Sequence, residues 1–413
     1  MTDTKRAVLA VSISNTIEWF EIVVYGYFAA AIANQFFPAS TPAVSLLAAF
    51  ATFGVTFVMR PLGAVFLGAY ADRSGRKAAL LVSMFLIAAA SAFIAFVPNY
   101  QTIGVAAPAI LVLARLMQGF AVGGEFGSAT AFLAELDPRR RGFYASLQFA
   151  SQGASAALAT GIGWLLASML APSELNSWGW RVPFVLGLLL APLGYYVRRS
   201  LREPKEFEST RSPTFSVASM LKSRALQIFI CTGVIALGTV AIYTLVFLPT
   251  FATRQLGLPA AGAFAAALLT ACLQIGIAPL TGAMSDRYGR IAVSLPCAVA
   301  LALVAYPLFA WLSHEPTITK FFVVQISLGA LSAAYAGPLP ALMADLFPVR
   351  TRTTGLSVSY AVSVALFGGF TPLAHVWLIQ VSGQVIAPSY LIVAAAIFGL
   401  TALWLARRTL PRG

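Results

Sequence analysis

Twelve stretches of mostly apolar residues, each long enough to cross a bilayer, follow one another along the chain with only short polar turns between most of them. About 20 such residues let a helix span the hydrocarbon. The pattern predicts spans near 8–35, 43–69, 78–98, 104–134, 142–169 and 180–198. A polar, charged stretch then runs from Arg198 to Ser216. Six further spans are expected near 224–251, 260–284, 291–312, 320–346, 354–382 and 387–406. Backbone polar groups in lipid must be satisfied inside the segment, which makes apolar runs of this length helices. The expected fold is an all-α membrane protein of twelve transmembrane helices in two pseudo-symmetric six-helix bundles. Its boundaries are 1–199 for the first bundle, 200–222 for a cytoplasmic linker and 223–413 for the second bundle.

Composition excludes the alternative of a soluble domain. Of 413 residues, 59% are hydrophobic and 10% charged, against roughly 25% charged in soluble proteins. A net charge of +13 would suit nucleic acid, but the basic residues sit at the ends of apolar runs rather than in stripes. The expected partner is therefore the lipid bilayer, with no nucleic acid. All but five of the 27 Lys and Arg residues fall at the termini, in alternate turns or in the central stretch. The exceptions are Arg181, Arg254 and Lys320 on the opposite side, with Arg60 and Arg115 inside spans. This asymmetry predicts cytoplasmic termini in a multi-pass protein of the cell inner membrane. The first run continues through Glu18 and Tyr25 to Phe37 with no small-residue cleavage site, and is read as a retained span.

A charged turn appears twice. Gly68-Ala-Tyr-Ala-Asp72-Arg73-Ser-Gly75-Arg76-Lys77 recurs half a chain later as Gly282-Ala-Met-Ser-Asp286-Arg287-Tyr-Gly289-Arg290. Ala134-Glu135-Leu136-Asp-Pro138 likewise recurs as Ala344-Asp345-Leu346-Phe-Pro348. Repeats at this offset mark a duplicated architecture. The turns and the acids after them predict one charge network per half on the cytoplasmic side. Asp72, Arg73, Arg76 and Glu135 form the first, and Asp286, Arg287, Arg290 and Asp345 the second. The first is expected to be the stronger latch, because Ile291 stands where the first copy has Lys77.

Ionisable residues inside spans are costly and default to function. Five are visible: Glu18 and Glu21 in the first span, Arg60 in the second, Arg115 and Glu125 in the fourth. Arg115, Gln118, Val122 and Glu125 share one helix face by their three-and-four spacing. A guanidinium at that depth offers a bidentate fork to a carboxylate, and a nearby acid can carry a proton. The expected substrate-binding set is Arg115, Gln118, Tyr25, Gln148, Gln152, Tyr243 and Tyr360, with Glu18, Glu21 and Glu125 for proton coupling. No metal site is expected from His314, His375 and the apolar-embedded Cys231, Cys272 and Cys297. With no nucleophile–base pair or nucleotide loop either, neither a catalytic residue nor an enzymatic step is expected.

These motifs resemble the major facilitator superfamily over the whole length. The turn at 68–77 is similar to that superfamily's loop between helices two and three, and Arg115-Leu-Met-Gln118-Gly119 to its fourth-helix motif. Asn15-Thr-Ile-Glu18-Trp19-Phe-Glu21, Met59-Arg60-Pro61-Leu-Gly63, Gln118 to Glu125, Trp178-Gly-Trp180-Arg181 and Leu201 to Phe207 resemble the metabolite:H⁺ symporter family. Gly142 to Gln148 and Phe367 to Pro372 are most similar to its citrate–proton symporters. Glu21 departs from the Asp usual there, keeping a carboxylate one methylene longer. The resemblance implies import of a tri- or dicarboxylate with H⁺, no cofactor beyond that coupling ion, and a monomer as working unit. Other small metabolites (2-oxoacids, shikimate, proline- or betaine-type zwitterions) are the alternative substrates. A drug:H⁺ antiporter is disfavoured, because the fifth span lacks the Gly-Pro dipeptide of that class.

Overall fold

The computed structural model describes residues 3–74, 76–123, 125–199 and 223–410. Among them twelve spanning helices follow the predicted order. In the first half these are α1 (Asp3–Tyr27, continued by Ala29–Phe36), α2 (Pro42–Ser74) and α3 (Arg76–Phe96). They are followed by α4 (Ala106–Ala121, continued by Glu125–Glu135), α5 (Arg141–Met169) and α6 (Val182–Arg199). The second half begins with α7 (Ala225–Arg254), α8 (Ala260–Tyr288) and α9 (Arg290–Ser313). Then come α10 (Ile318–Ala336, continued by Leu339–Leu346), α11 (Val349–Ser363, continued to Thr371–Ser382) and α12 (Pro388–Thr409). The expected linker at 200–222 lies outside the described residues.

Four spans that the sequence pattern reads as unbroken are interrupted. α10 breaks at Gly337-Pro338, where proline removes a backbone donor. α11 passes through a π-helical turn, Val364–Gly368, before restarting at Thr371-Pro372. α1 breaks at Phe28 and α4 after Ala121. Broken helices in a bilayer are tolerated where they are buried in protein or line a cavity. α5 is unbroken over 29 residues, but it buries Gln148, Ser151, Gln152 and Ser155. Its polar face is turned away from lipid.

Within the first half α1 packs on α5 and α6, and α4 on α2 and α3. In the second, α7 and α9 pack on α12, and α10 on α8 and α9. The halves meet chiefly along α5 and α8, with α2 and the lower part of α4 against α11 and α1 against α7. Small residues permit the closest approaches, as expected where lipid gives no hydrophobic drive for association. A Cβ on Gly119 would stand 1.9 Å from the Thr56 carbonyl oxygen, and one on Gly142 2.3 Å from that of Gly282. The first contact fastens α4 to α2 inside one half, and the second brings α5 against α8 across the halves. The α8–α9 reversal turns on Gly289 at φ +96°, a conformation that glycine adopts without steric cost.

Candidate functional site

Arg115 of α4 is fully buried at the centre of the first half. Its guanidinium lies 4.5 Å from the ring centre of Tyr25 (α1) and 5.3 Å from that of Phe53 (α2). Two aromatic faces thus stabilise the cation in place of water. Nη1 donates to Gln118 Oε1 at 2.7 Å. Nε and Nη2 find no hydrogen-bond partner among the described residues. Buried donors of a charged group are costly to leave unmet, so this fork has the chemistry to take an anionic partner.

A relay leads from Arg115 to an acid. Gln118 Nε2 donates to Ser91 Oγ of α3 at 3.3 Å, and Ser91 donates to Glu21 of α1. Glu21 is 3% exposed and lies against Gly187 of α6, where a Cβ would sit 1.9 Å from its carboxylate. The acid is therefore enclosed by α1, α3 and α6, and is linked by hydrogen bonds to the arginine through Ser91 and Gln118. Glu18, one turn nearer the N-terminal end of α1, borders a different space. It lines a narrow pocket with Trp19, Arg60, Phe126, Ser357 and Tyr360. A second pocket lies between α1, α5, α7, α8 and α10 and includes Trp19, Gln152, Gln274 and Ala333. Trp19 lines both, so the two spaces are neighbours on the interface between the halves.

The expected binding residues do not all reach these spaces. Tyr25 is the platform under Arg115. Tyr243 of α7 is buried, packs edge-on to Phe53 and Phe57, and its hydroxyl has no hydrogen-bond partner among the described residues. Gln152 lines the larger cavity, with its amide nitrogen unpartnered. Tyr360 comes from the second half and stacks on Phe126 of the first, ring centres 3.4 Å apart. Gln148 is placed differently. It exchanges hydrogen bonds with Asn15, which also donates to Ser151 at 2.6 Å. That arrangement ties α1 to α5 rather than facing a cavity. The side chain of Glu125 lies outside the described residues. His375 is fully buried and bonded to Thr244 at 2.8 Å.

Among the described residues, the charges at the basic end pair between the halves as well as within one. Arg141, at the start of α5, donates through Nε to the Ala134 carbonyl of its own half and through Nη1 to Asp345 of the other, at 3.2 and 2.6 Å. Arg352 of α11 repeats this with Ala344 at 3.0 Å and Glu135 at 2.6 Å. Asp286 accepts the backbone N–H groups of Gly142 and Phe143 at 2.7 and 3.0 Å, capping the N-terminus of α5 from the opposite half. Arg290 holds Asp286 and Asp345 together within the second half, at 2.6 and 3.4 Å. Arg287 lies over the Tyr288 ring and joins no ion pair among the described residues. The side chains of Asp72, Arg73 and Arg76 lie outside the described residues. Sequence reasoning missed Arg141 and Arg352. Their signal was an arginine following each repeated acid and proline at a helix start.

The opposite end is bridged too. Arg254 of α7 donates to Asn34 and to the Ala30 carbonyl on the second part of α1, at 2.9 and 3.2 Å. Gly54 of α2 meets Gly369 and Phe370 of α11. The polar centre is thus enclosed between two halves, each end held by contacts that a rocking motion would break.

A duplicated bundle with a central charged site and bridges at both ends defines a membrane transporter that works by alternating access. Residues 7–208 match the Sugar (and other) transporter family. Over 400 residues the chain is 36% identical to the citrate–proton symporter of Klebsiella pneumoniae, covering 96% of this chain and 90% of that protein. It is 31% identical to the proline/betaine transporter of Escherichia coli K12 over 415 residues, covering 96% and 82%. In fold it is similar to a crystal structure of a D-xylose–proton symporter, with TM-score 0.79, 16% identity and coverage of 99% and 98%. The chain belongs to the major facilitator superfamily and, within it, to the metabolite:H⁺ symporter family.

Proposed function

We propose that this protein imports a carboxylate metabolite, citrate or a related tri- or dicarboxylate, together with protons. The observation that carries the reading is the Arg115 fork, buried between Tyr25 and Phe53 with two donor nitrogens unmet. The substrate carboxylate takes those donors. Glu21 senses its arrival through Ser91 and Gln118, whose hydrogen bonds rearrange when Arg115 changes partners. Glu18, on the cavity wall, carries a proton that removes its repulsion of the anion. The identity to a citrate–proton symporter supports the substrate class.

Each half then rocks about the site. Both sets of bridges are formed together here, so opening toward either side breaks one set and keeps the other. The distribution of Lys and Arg supports placing the basic end, the termini and residues 200–222 in the cytoplasm of a cell inner-membrane protein. One chain carries the whole path, so a monomer suffices, and protons are the coupling ion with no further cofactor and no enzymatic step.

A zwitterion substrate is the second reading, favoured by the 31% identity to a proline/betaine transporter. Quaternary ammonium groups need open aromatic faces. Here the Tyr25, Phe53, Trp19 and Phe57 faces are covered by the two arginines. Uptake of radiolabelled citrate into proteoliposomes, with and without an imposed pH gradient, decides between them. Gradient-driven accumulation is expected; its absence, with proline or betaine accumulating instead, would remove citrate as substrate.

A further inference from the structure

Arg60 is the second buried arginine of the centre, and no role in binding follows for it from Arg115 alone. It is 3% exposed, and its guanidinium lies 5.0 Å from the Trp19 ring centre and 4.6 Å from that of Phe57. Ring faces engage the flat side of a guanidinium and leave its in-plane N–H groups free. Nε and Nη2 accordingly find no hydrogen-bond partner among the described residues. They belong to a side chain on the wall of the smaller pocket.

Arg60 and Arg115 share one aromatic wall. Phe53 underlies Arg115 and Phe57 underlies Arg60, with the two rings in edge contact at 5.3 Å. Tyr243, from the second half, packs edge-on to both rings, and its hydroxyl has no hydrogen-bond partner among the described residues. Tyr360, also from the second half, lines the cavity beside Arg60. Two cationic forks, each with two donors unmet among the described residues, therefore stand at the two ends of one wall. The Tyr243 hydroxyl of the opposite half lies between them, and Tyr360, which is hydrogen-bonded to Arg60, stands beside them.

We infer that Arg60 is a second carboxylate anchor, so that the site takes an anion with two or more carboxylates, one held by Arg115 and another by Arg60. This rests on the carboxylate reading above and narrows its substrate class. A monocarboxylate fills one fork and leaves the other buried and unmet. A polycarboxylate meets both and touches both halves through Tyr243 and Tyr360.

Succinate and butyrate test this, having the same four-carbon length and two carboxylates against one. Their inhibition constants are read against citrate uptake in proteoliposomes, and their thermal stabilisation of the purified full-length protein is measured in parallel. The wild-type protein should prefer succinate by roughly 10- to 100-fold, the value of a charge-assisted hydrogen-bond pair. Arg60→Gln should remove most of that preference while moving the butyrate constant by no more than about threefold. Arg60→Lys, which keeps the charge but not the fork, should give an intermediate ratio. If Arg60→Gln does not fold, the Lys variant decides. An unchanged succinate-to-butyrate ratio in whichever variant folds overturns the proposal and leaves Arg60 as a packing residue. Should the wild-type protein not move citrate at all, the carboxylate reading fails instead, and the stabilisation ratio still reports on Arg60.

Discussion

Arg141 and Arg352 occupy equivalent positions in the two halves, and each reaches across to the acid that the other's half supplies. Arg141 meets Asp345, and Arg352 meets Glu135, both at 2.6 Å. Each also holds the carbonyl of the residue before its own half's acid. The pair is a two-fold exchange of charges, and it can exist only while the basic ends of the halves are together.

Reversing one charge should therefore disfavour that closed end. Exposed pairs are worth roughly 0.2–1 kcal/mol, and the Glu135 side chain is 46% exposed. A few-fold loss of uptake is expected for Glu135→Arg or Arg352→Glu alone, with substantial recovery in the double variant. Thiol-reagent access to a cysteine placed at the basic end reports the same shift. No recovery in the double variant would mean that the two residues do not act on each other.

The relay makes a separate prediction about pH. Glu21→Gln keeps a hydrogen-bonding partner for Ser91 but cannot take up a proton, so the pH dependence of uptake should flatten while expression is kept. Ser91→Ala cuts the path between Glu21 and Gln118 and leaves buried polar groups unmet, at a cost of about 1–3 kcal/mol. Uptake should fall by about tenfold or more with substrate binding largely retained. A Ser91→Ala protein that transports as wild type does would remove the relay from the mechanism.

Glycine substitutions separate folding from cycling. Gly119→Ala drives a Cβ to 1.9 Å from the Thr56 carbonyl oxygen within the first half. Overpacking of that kind costs about 1–3 kcal/mol, so thermal stability in detergent should fall. Gly142→Ala meets Gly282 only where the two halves touch. It should leave stability nearly unchanged and slow the closing of the basic end, seen as lost uptake with retained citrate binding.

His375 offers a contrast to the acids. It is fully buried in the second half, bonded to Thr244 and set against the Phe247 ring at 5.2 Å. His375→Gln should preserve a hydrogen bond to Thr244 and leave the pH profile of uptake unchanged. A shifted profile would place the histidine on the proton's route.

The sequence by itself determined the number and order of the spans, the duplication and the depth of each charge. Those follow from local quantities: the length of an apolar run, the position of an arginine within it, and a turn that recurs at half the chain length. Arg115 could be singled out because any ion within a span is expensive wherever the helices pack. What faces what was decided only by the tertiary structure. Helical spacing places Glu18 and Glu21 one turn apart on α1, but it does not say that one lines a cavity while the other is sealed behind Ser91. Nor does it show that Gln148 spends its amide on Asn15, or that Arg60 stands on the same aromatic wall as Arg115. The charges at the basic end show the limit most directly. Repetition predicted a set of charges for each half. Among the described residues, contact across a pseudo-two-fold axis joins Asp345 to Arg141 and Glu135 to Arg352, while Asp286 and Asp345 also hold Arg290 of their own half. Residues related by such an axis come close to their counterparts' neighbours as well as to their own, which no local pattern along the chain reveals.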